Sequence, residues 1–175
     1  VLLKQGAMLG EPQYKVIQDF AMEFSCTDGK ARFEGYSLFK TRHFGYLHNI
    51  LMSDEAIEHT LAQWLDTAVL YQVRNLLIDF IQQKTAPFYN GYLGVDMFVY
   101  EEDNQYKVNP VVEINLRMTM GIASYLIFEK YMDSNTSGIF QIEYKPAPEE
   151  MLHYIEDKKL KSPLLEHNGR WISGF

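Results

Sequence analysis

Asp96, Glu113, Asn115 and Arg117 are the residues of this chain whose types and spacing point most directly to chemistry. They lie in the stretch GVDMFVYEEDNQYKVNPVVEINLRMTMG, residues 94–121, and each interrupts an apolar, strand-like run. A polar group inside such a run is costly unless something pairs with it. Side chains of a strand alternate between faces, so Glu113, Asn115 and Arg117 share one face. The acidic, turn-prone centre Glu102–Gln105 joins expected strands at 92–100 and 107–116 into a hairpin. With the turn centred on Asp103–Asn104, Asp96 lies opposite Val111. Centred one residue later, it lies opposite Glu113. Directly opposed residues point to the same side of a sheet, so both registers place Asp96 on the Glu113/Asn115 face. An odd-length loop would break that placement.

Two carboxylates and an amide oxygen on one face suit a hard cation. Mg²⁺ prefers such oxygens and completes its shell with water and substrate phosphates, and Mn²⁺ is an alternative. Arg117, two residues beyond Asn115, suits an anionic oxygen such as phosphate. The face therefore reads as metal plus phosphate.

Such a hairpin needs a sheet to hold it. KVIQDFAMEF alternates, with Phe20, Met22 and Phe24 on one face and Asp19, Ala21 and Glu23 on the other. CTDGK supplies an Asp-Gly turn and ARFEGYSLFKTR returns, so residues 16–42 read as a first hairpin. Residues 6–11 read as a short strand and HFGYLHN, 43–49, as a loop. Ser53 is a candidate N-cap, with Asp54 and Glu55 in the first turn. From there to Lys84 the apolar spacing of Ile57, Leu61, Leu65 and Leu77 is helical, as one helix or two in series. A helix over 120–132 capped by Thr119, a strand at 139–144, a short helix at 147–159 and a last strand in RWISGF follow. The expectation is an α+β fold, a mainly antiparallel sheet with flanking helices.

Composition narrows the class. The chain has 175 residues, 47% of them apolar and 22% charged, as in a folded domain. A net charge of −7 argues against nucleic acid or an anionic membrane as partner. No apolar run approaches the ~20 residues that span a bilayer. The one cysteine, Cys26, cannot form an internal disulfide, which fits a reducing, cytoplasmic setting. Lys40 and Arg42 share a face beyond the first hairpin, and His43 and His48 bracket a short segment without an evident third ligand. No nucleophile-elbow pattern is present, which argues against a serine hydrolase.

VVEINLRMTMG resembles the metal-binding strand of the ATP-grasp superfamily, in which a Glu-x-Asn-x-Arg segment ends the nucleotide site. GYLGVDMFVYEE is similar to the preceding strand, and Asp96 matches its metal-binding carboxylate. AMLGEPQYKVIQDFAMEF resembles the hinge strand that holds adenine; Glu11 to Tyr14 match the hinge and Asp19 a position near the ribose. The resemblance covers roughly residues 7–125. It implies an ATP- and Mg²⁺-dependent ligase that activates a small-molecule or peptide carboxylate as an acyl phosphate for an amine or thiol. Asp96, Glu113 and Asn115 would hold metal. Glu11, Tyr14, Asp19, Lys40 and Arg117 would contact nucleotide, and Arg117 would also act in catalysis. The family's Gly-rich phosphate loop and strand lysine have no counterpart; Lys4 stands seven residues before Glu11 with no such loop between. The expectation is therefore the C-terminal portion of an ATP-grasp domain over residues 1–175, inactive by itself. The competing reading is a non-catalytic nucleotide-binding or scaffold module.

Overall fold

The structure, a computed structural model, describes residues 6, 10, 12–42 and 45–175. Strands β1 (Lys15–Thr27) and β2 (Lys30–Arg42) form the first hairpin. Asp28 and Gly29 both take positive φ at its tip, as a two-residue hairpin turn of this hand requires. β3 (Gly45–Leu51) pairs with β2, so most of the segment expected as a loop is a strand. Helices α1 (Asp54–Leu61) and α2 (Thr67–Lys84) follow. They are two helices because the chain turns at residues 62–66 and Asp66 caps α2 afresh, accepting from the Ala68 amide at 2.8 Å. β4 (Gly91–Glu102) and β5 (Gln105–Asn115) form the second hairpin. α3 (Met120–Tyr131) is capped by Thr119, whose hydroxyl accepts from the Ile122 amide at 3.0 Å.

β6 (Gly138–Phe140) is shorter than the strand expected at 139–144. α4 (Pro148–Lys161), β7 (Leu165–His167) and β8 (Arg170–Ser173) complete the order. Most of the short strand expected at 6–11 lies outside the described residues. Among the described residues, six strands make one antiparallel sheet in the order β5-β4-β1-β2-β3-β6, and β7 and β8 make a separate pair. The fold is α+β, as the pattern of elements implied.

The sheet's two faces differ. One carries the even positions of β1 and the odd positions of β4: Phe20, Met22, Phe24, Leu93, Val95 and Met97, all buried. Ile57, Leu61, Leu70, Leu77 and Ile81 of α1 and α2 join them in one core. Burial of each such side chain contributes about 1.5–3 kcal/mol before the loss of chain entropy. Among the described residues, the other face is covered at one end only. There α3 packs with Ile122 and Phe128 buried, and its Tyr125 ring lies over Gly35 so closely that an added Cβ would stand 2.5 Å from it. The uncovered remainder of that face is the floor of a cleft.

Candidate functional site

The second hairpin turns through Asp103 and Asn104, both at positive φ, and pairs Glu102 with Gln105. A regular ladder from this turn would bring Asp96 opposite Val111. It lies instead opposite Glu113, because β5 holds Pro110, Val111 and Val112 against the single Met97 of β4. β5 is an edge strand, where a proline and an irregular ladder leave no inner partner unpaired. Asp96 and Glu113 are thus directly opposed on the cleft face, with Asn115 opposite Gly94.

Side-chain contacts extend this pairing. Asn115, buried, donates its Nδ2 to Asp96 Oδ2 at 3.2 Å. Its Oδ1 accepts from Arg117 Nη2 at 3.1 Å. The amide therefore links carboxylate to guanidinium. The Asp96 carboxyl is pushed up to about 6 by burial first and by the Glu113 charge second, with Arg117 and Asn115 opposing. A carboxyl held above its ordinary range by burial and by a neighbouring carboxylate is one that a cation would relieve. Two carboxylates and an amide oxygen are donors that a hard divalent cation takes, so the residues fit Mg²⁺ or Mn²⁺. Among the described residues no group of three or more His, Cys, Asp and Glu is placed to hold a metal, so the amide oxygen and added water or phosphate would have to complete the shell.

These residues line a cleft of about 350 Å³ that runs from Glu113 and Arg117 across the sheet to Tyr46 and Asn49 of β3. Its deepest acid, Glu23, escaped the reading of the sequence. Glu23 is 1% exposed, accepts from Ser37 Oγ at 2.7 Å and from Thr119 Oγ1 at 3.3 Å, and is pushed up to about 7, chiefly by burial. Two glycines make room for it. An added Cβ at Gly94 would stand 2.7 Å from one carboxylate oxygen, and at Gly121 1.9 Å from the other. A Glu among apolar residues of an alternating strand, with Met-Gly opening a later helix, is the faint signal the sequence held.

Of the other expected residues, Tyr14 lies on the second hairpin, its ring 4.4 Å from that of Tyr100 and 5.6 Å from that of Phe98. Asp19 lies on the cleft face opposite Phe98 and accepts from Thr41 Oγ1 at 2.7 Å. Glu11, the acid of the expected hinge, lies outside the described residues, as does His43. Lys40 is not brought to this cleft. It alternates with Phe39 and Thr41, so it points to the opposite face, where its Nζ donates to Gln18 Oε1 at 2.8 Å. Arg42 and His48 share that face by register, His48 directly opposite Lys40. Cys26 is buried in the core. No helix among the described residues is long and apolar enough to cross a membrane.

No family model and no curated protein matches the chain. Among solved structures it is similar to N5-carboxyaminoimidazole synthetase from Staphylococcus aureus complexed with ADP, at 11% identity and a TM-score of 0.49. That likeness covers 93% of this chain and 46% of the other. It is also similar to N5-carboxyaminoimidazole synthase from Aspergillus clavatus in complex with ADP and 5-aminoimidazole ribonucleotide, at 14% identity and a TM-score of 0.49 over 93% and 45% of the two chains. A third likeness is to a protein from Archaeoglobus fulgidus described as of the ATP-grasp superfamily, at 13% identity and a TM-score of 0.36 over 75% and 48%. The chain spans less than half the length of each of these solved chains.

Proposed function

We propose that the cleft binds the phosphates of ATP with one or two divalent cations, as part of an ATP-grasp ligase that joins a carboxylic acid to a nucleophile. The observation that supports this best is the direct opposition of Asp96 and Glu113 on a cleft face, joined through Asn115 to Arg117. Asp96, Glu113 and Asn115 would hold Mg²⁺ or Mn²⁺. The cation would offset charge on the β- and γ-phosphates. Arg117 supplies a fixed positive charge beside them and steadies the transferring phosphoryl group. Tyr14, on the aromatic patch of Phe98 and Tyr100, offers a flat apolar surface for a base. Asp19, directly opposite Phe98 of that patch, would meet a ribose hydroxyl.

In the reaction the resemblance implies, a carboxylate oxygen attacks the γ-phosphorus of ATP and ADP departs. The nucleophile then attacks the acyl carbon, inorganic phosphate leaves, and the nucleophile's proton passes to solvent. This chain's residues bind and orient; among the described residues nothing like a Gly-rich phosphate loop over the γ-phosphate is found. The rest of that cradle would have to come from elsewhere in the complete protein.

Electron paramagnetic resonance with Mn²⁺ alone tests the metal site. The chain is expected to bind Mn²⁺, and Glu113→Gln and Asp96→Asn each to weaken it about tenfold without lowering the melting temperature. Equal Mn²⁺ affinity in the chain and both variants would leave the carboxylates without that role.

A further inference from the structure

Lys40, Arg42 and His48, which the cleft does not use, come together on the opposite face of the sheet. Lys40 follows the buried Leu38 by two residues, past the apolar core, and Arg42 follows Lys40 by two more on the same face. His48 of β3 is directly opposite Lys40. Opposed side chains stand about 5 Å apart at Cβ, and alternate residues of one strand about 7 Å apart. Side chains as long as lysine and arginine lean together over such spans. Lys40 and Arg42 are exposed and His48 is half-buried.

No acid is set against them. Ion pairs among the described residues involve Lys15, Lys107, Lys145, His153 and Lys161, and none of these three. Glu101, the acid of β4 on this face, is already paired with Lys15 at 2.7 Å. Like charges side by side repel, so the grouping stabilises nothing by itself. The chain has a net charge of −7, with more acids than cations to draw on. Lys40 is nevertheless held in place. Gln18, 5% exposed, gives its amide protons to two carbonyls, those of Asp19 at 2.6 Å and Phe39 at 3.3 Å. Its Oε1 is thereby turned to accept from Lys40 Nζ at 2.8 Å. An ammonium has three protons, so two remain for a ligand, beside the guanidinium N–H groups of Arg42 and a ring N–H of His48.

We infer that Lys40 and Arg42, flanked by His48, form a phosphate site on this face. A phosphate dianion accepts from both cations at once and turns their repulsion into attraction. The sheet itself separates this place from the Asp96–Glu113 face, so a phosphate bound here is not one of a nucleotide in the cleft. The inference therefore stands apart from the function proposed above. A carboxylate brings half the charge and fewer acceptors.

Nuclear magnetic resonance titration of the ¹⁵N-labelled chain decides it, near pH 8, where phosphate is mostly dianionic, with sodium chloride holding the ionic strength constant. The probes are inorganic phosphate, glycerol 3-phosphate and acetate. Inorganic phosphate is expected to give saturable shifts at the amides of Lys40, Thr41, Arg42 and His48, with a dissociation constant in the millimolar range. Acetate is expected to give none that saturate. Glycerol 3-phosphate binding as tightly as phosphate would support a site for the phosphate group alone, and binding more tightly would support one for a phosphorylated molecule. Lys40→Gln with Arg42→Gln is expected to weaken phosphate about tenfold and leave Mn²⁺ binding unchanged. Should the double variant fail to fold, Arg42→Gln alone, at an exposed strand end, is expected to weaken it about threefold. Saturable shifts of equal strength with acetate, unchanged affinity in the variants, or phosphate shifts centred on Glu113 and Arg117 instead would overturn the site. Mn²⁺ binding that ignores Asp96 and Glu113 would overturn the nucleotide reading and leave this one standing.

Discussion

A single hydrogen atom decides the fit at Gly121. Its Cα lies against the Glu23 carboxylate, and a methyl group there would meet Oε1 at 1.9 Å and Ser37 Oγ at 2.5 Å. Helix propensity argues the other way, since alanine in place of glycine within a helix gains about 1 kcal/mol. The clash is the larger effect. Overpacking of a buried position costs about 1–3 kcal/mol, and here it also forces apart an acid whose two hydrogen bonds would be lost. Gly121→Ala is expected to destabilise the chain by about 2 kcal/mol in urea denaturation, and a neutral or stabilising result would show that α3 does not rest on Glu23. The residues around this point were unequally legible in the sequence. Asp96, Glu113, Asn115 and Arg117 stood out because each breaks an apolar run at strand spacing. Glu23 did not, because an acid on the second face of an alternating strand looks solvated until a helix is known to cover it. The resemblance assigns Lys40 to the nucleotide, whereas the strand's alternation turns it to the opposite face of the sheet.

Among the elements, the turns were the most legible part. Asp28-Gly29 sits at the tip expected for it, and Asp103-Asn104 at the first of the two tips considered, both at positive φ. The element ends differ from expectation by one or two residues in both hairpins. β3 was less legible. Its residues Gly45–Leu51 hold no clean alternation, because they pair through an irregularity between Lys40 and Thr41 of β2. The irregularity within β5 was likewise hidden; only the turn could be read, and the turn alone gives the wrong partner for Asp96. That turn can be probed directly. Asn104 has a φ of 58°, a conformation that asparagine and glycine tolerate and a β-branched residue does not. Asn104→Ile is expected to cost about 2 kcal/mol in the same denaturation experiment, while Asn104→Gly is expected to be neutral or mildly stabilising. Equal losses in both variants would mean that the turn does not pin the hairpin.

For the whole molecule, one buried carboxyl group, Glu23, and two half-buried ones, Asp54 and Asp96, make stability depend on pH. Glu23 is raised to about 7, and Asp54 and Asp96 to about 6, in each case chiefly by burial. Asp54 lies at the start of α1 and accepts from the Tyr36 amide at 2.9 Å; Asp96 lies in the cleft; Glu23 lies between the sheet and α3. In the unfolded chain such groups titrate near their ordinary values, about 4 to 4.5. A folded-state value above the unfolded one means that the native chain keeps the proton longer. The stabilising contribution is complete below about pH 4 and is lost as pH rises through about 6 to 7. For Glu23 alone the displacement corresponds to something on the order of 3 kcal/mol, a sizeable part of the 5–15 kcal/mol that holds a typical domain together. The melting temperature is therefore expected to be higher near pH 5 than near pH 8, by about 5–10 °C. Glu23→Gln, neutral at every pH, should remove the larger part of that difference. Mn²⁺ should raise the melting temperature more near pH 8, where Asp96 is ionised and free to bind it, than near pH 5. Calorimetric scans at the two pH values, with and without Mn²⁺, test all three statements together. A chain that melts higher near pH 8 without metal, or a Glu23→Gln variant with the unchanged pH difference, would show that the buried acid does not govern the balance between sheet and α3.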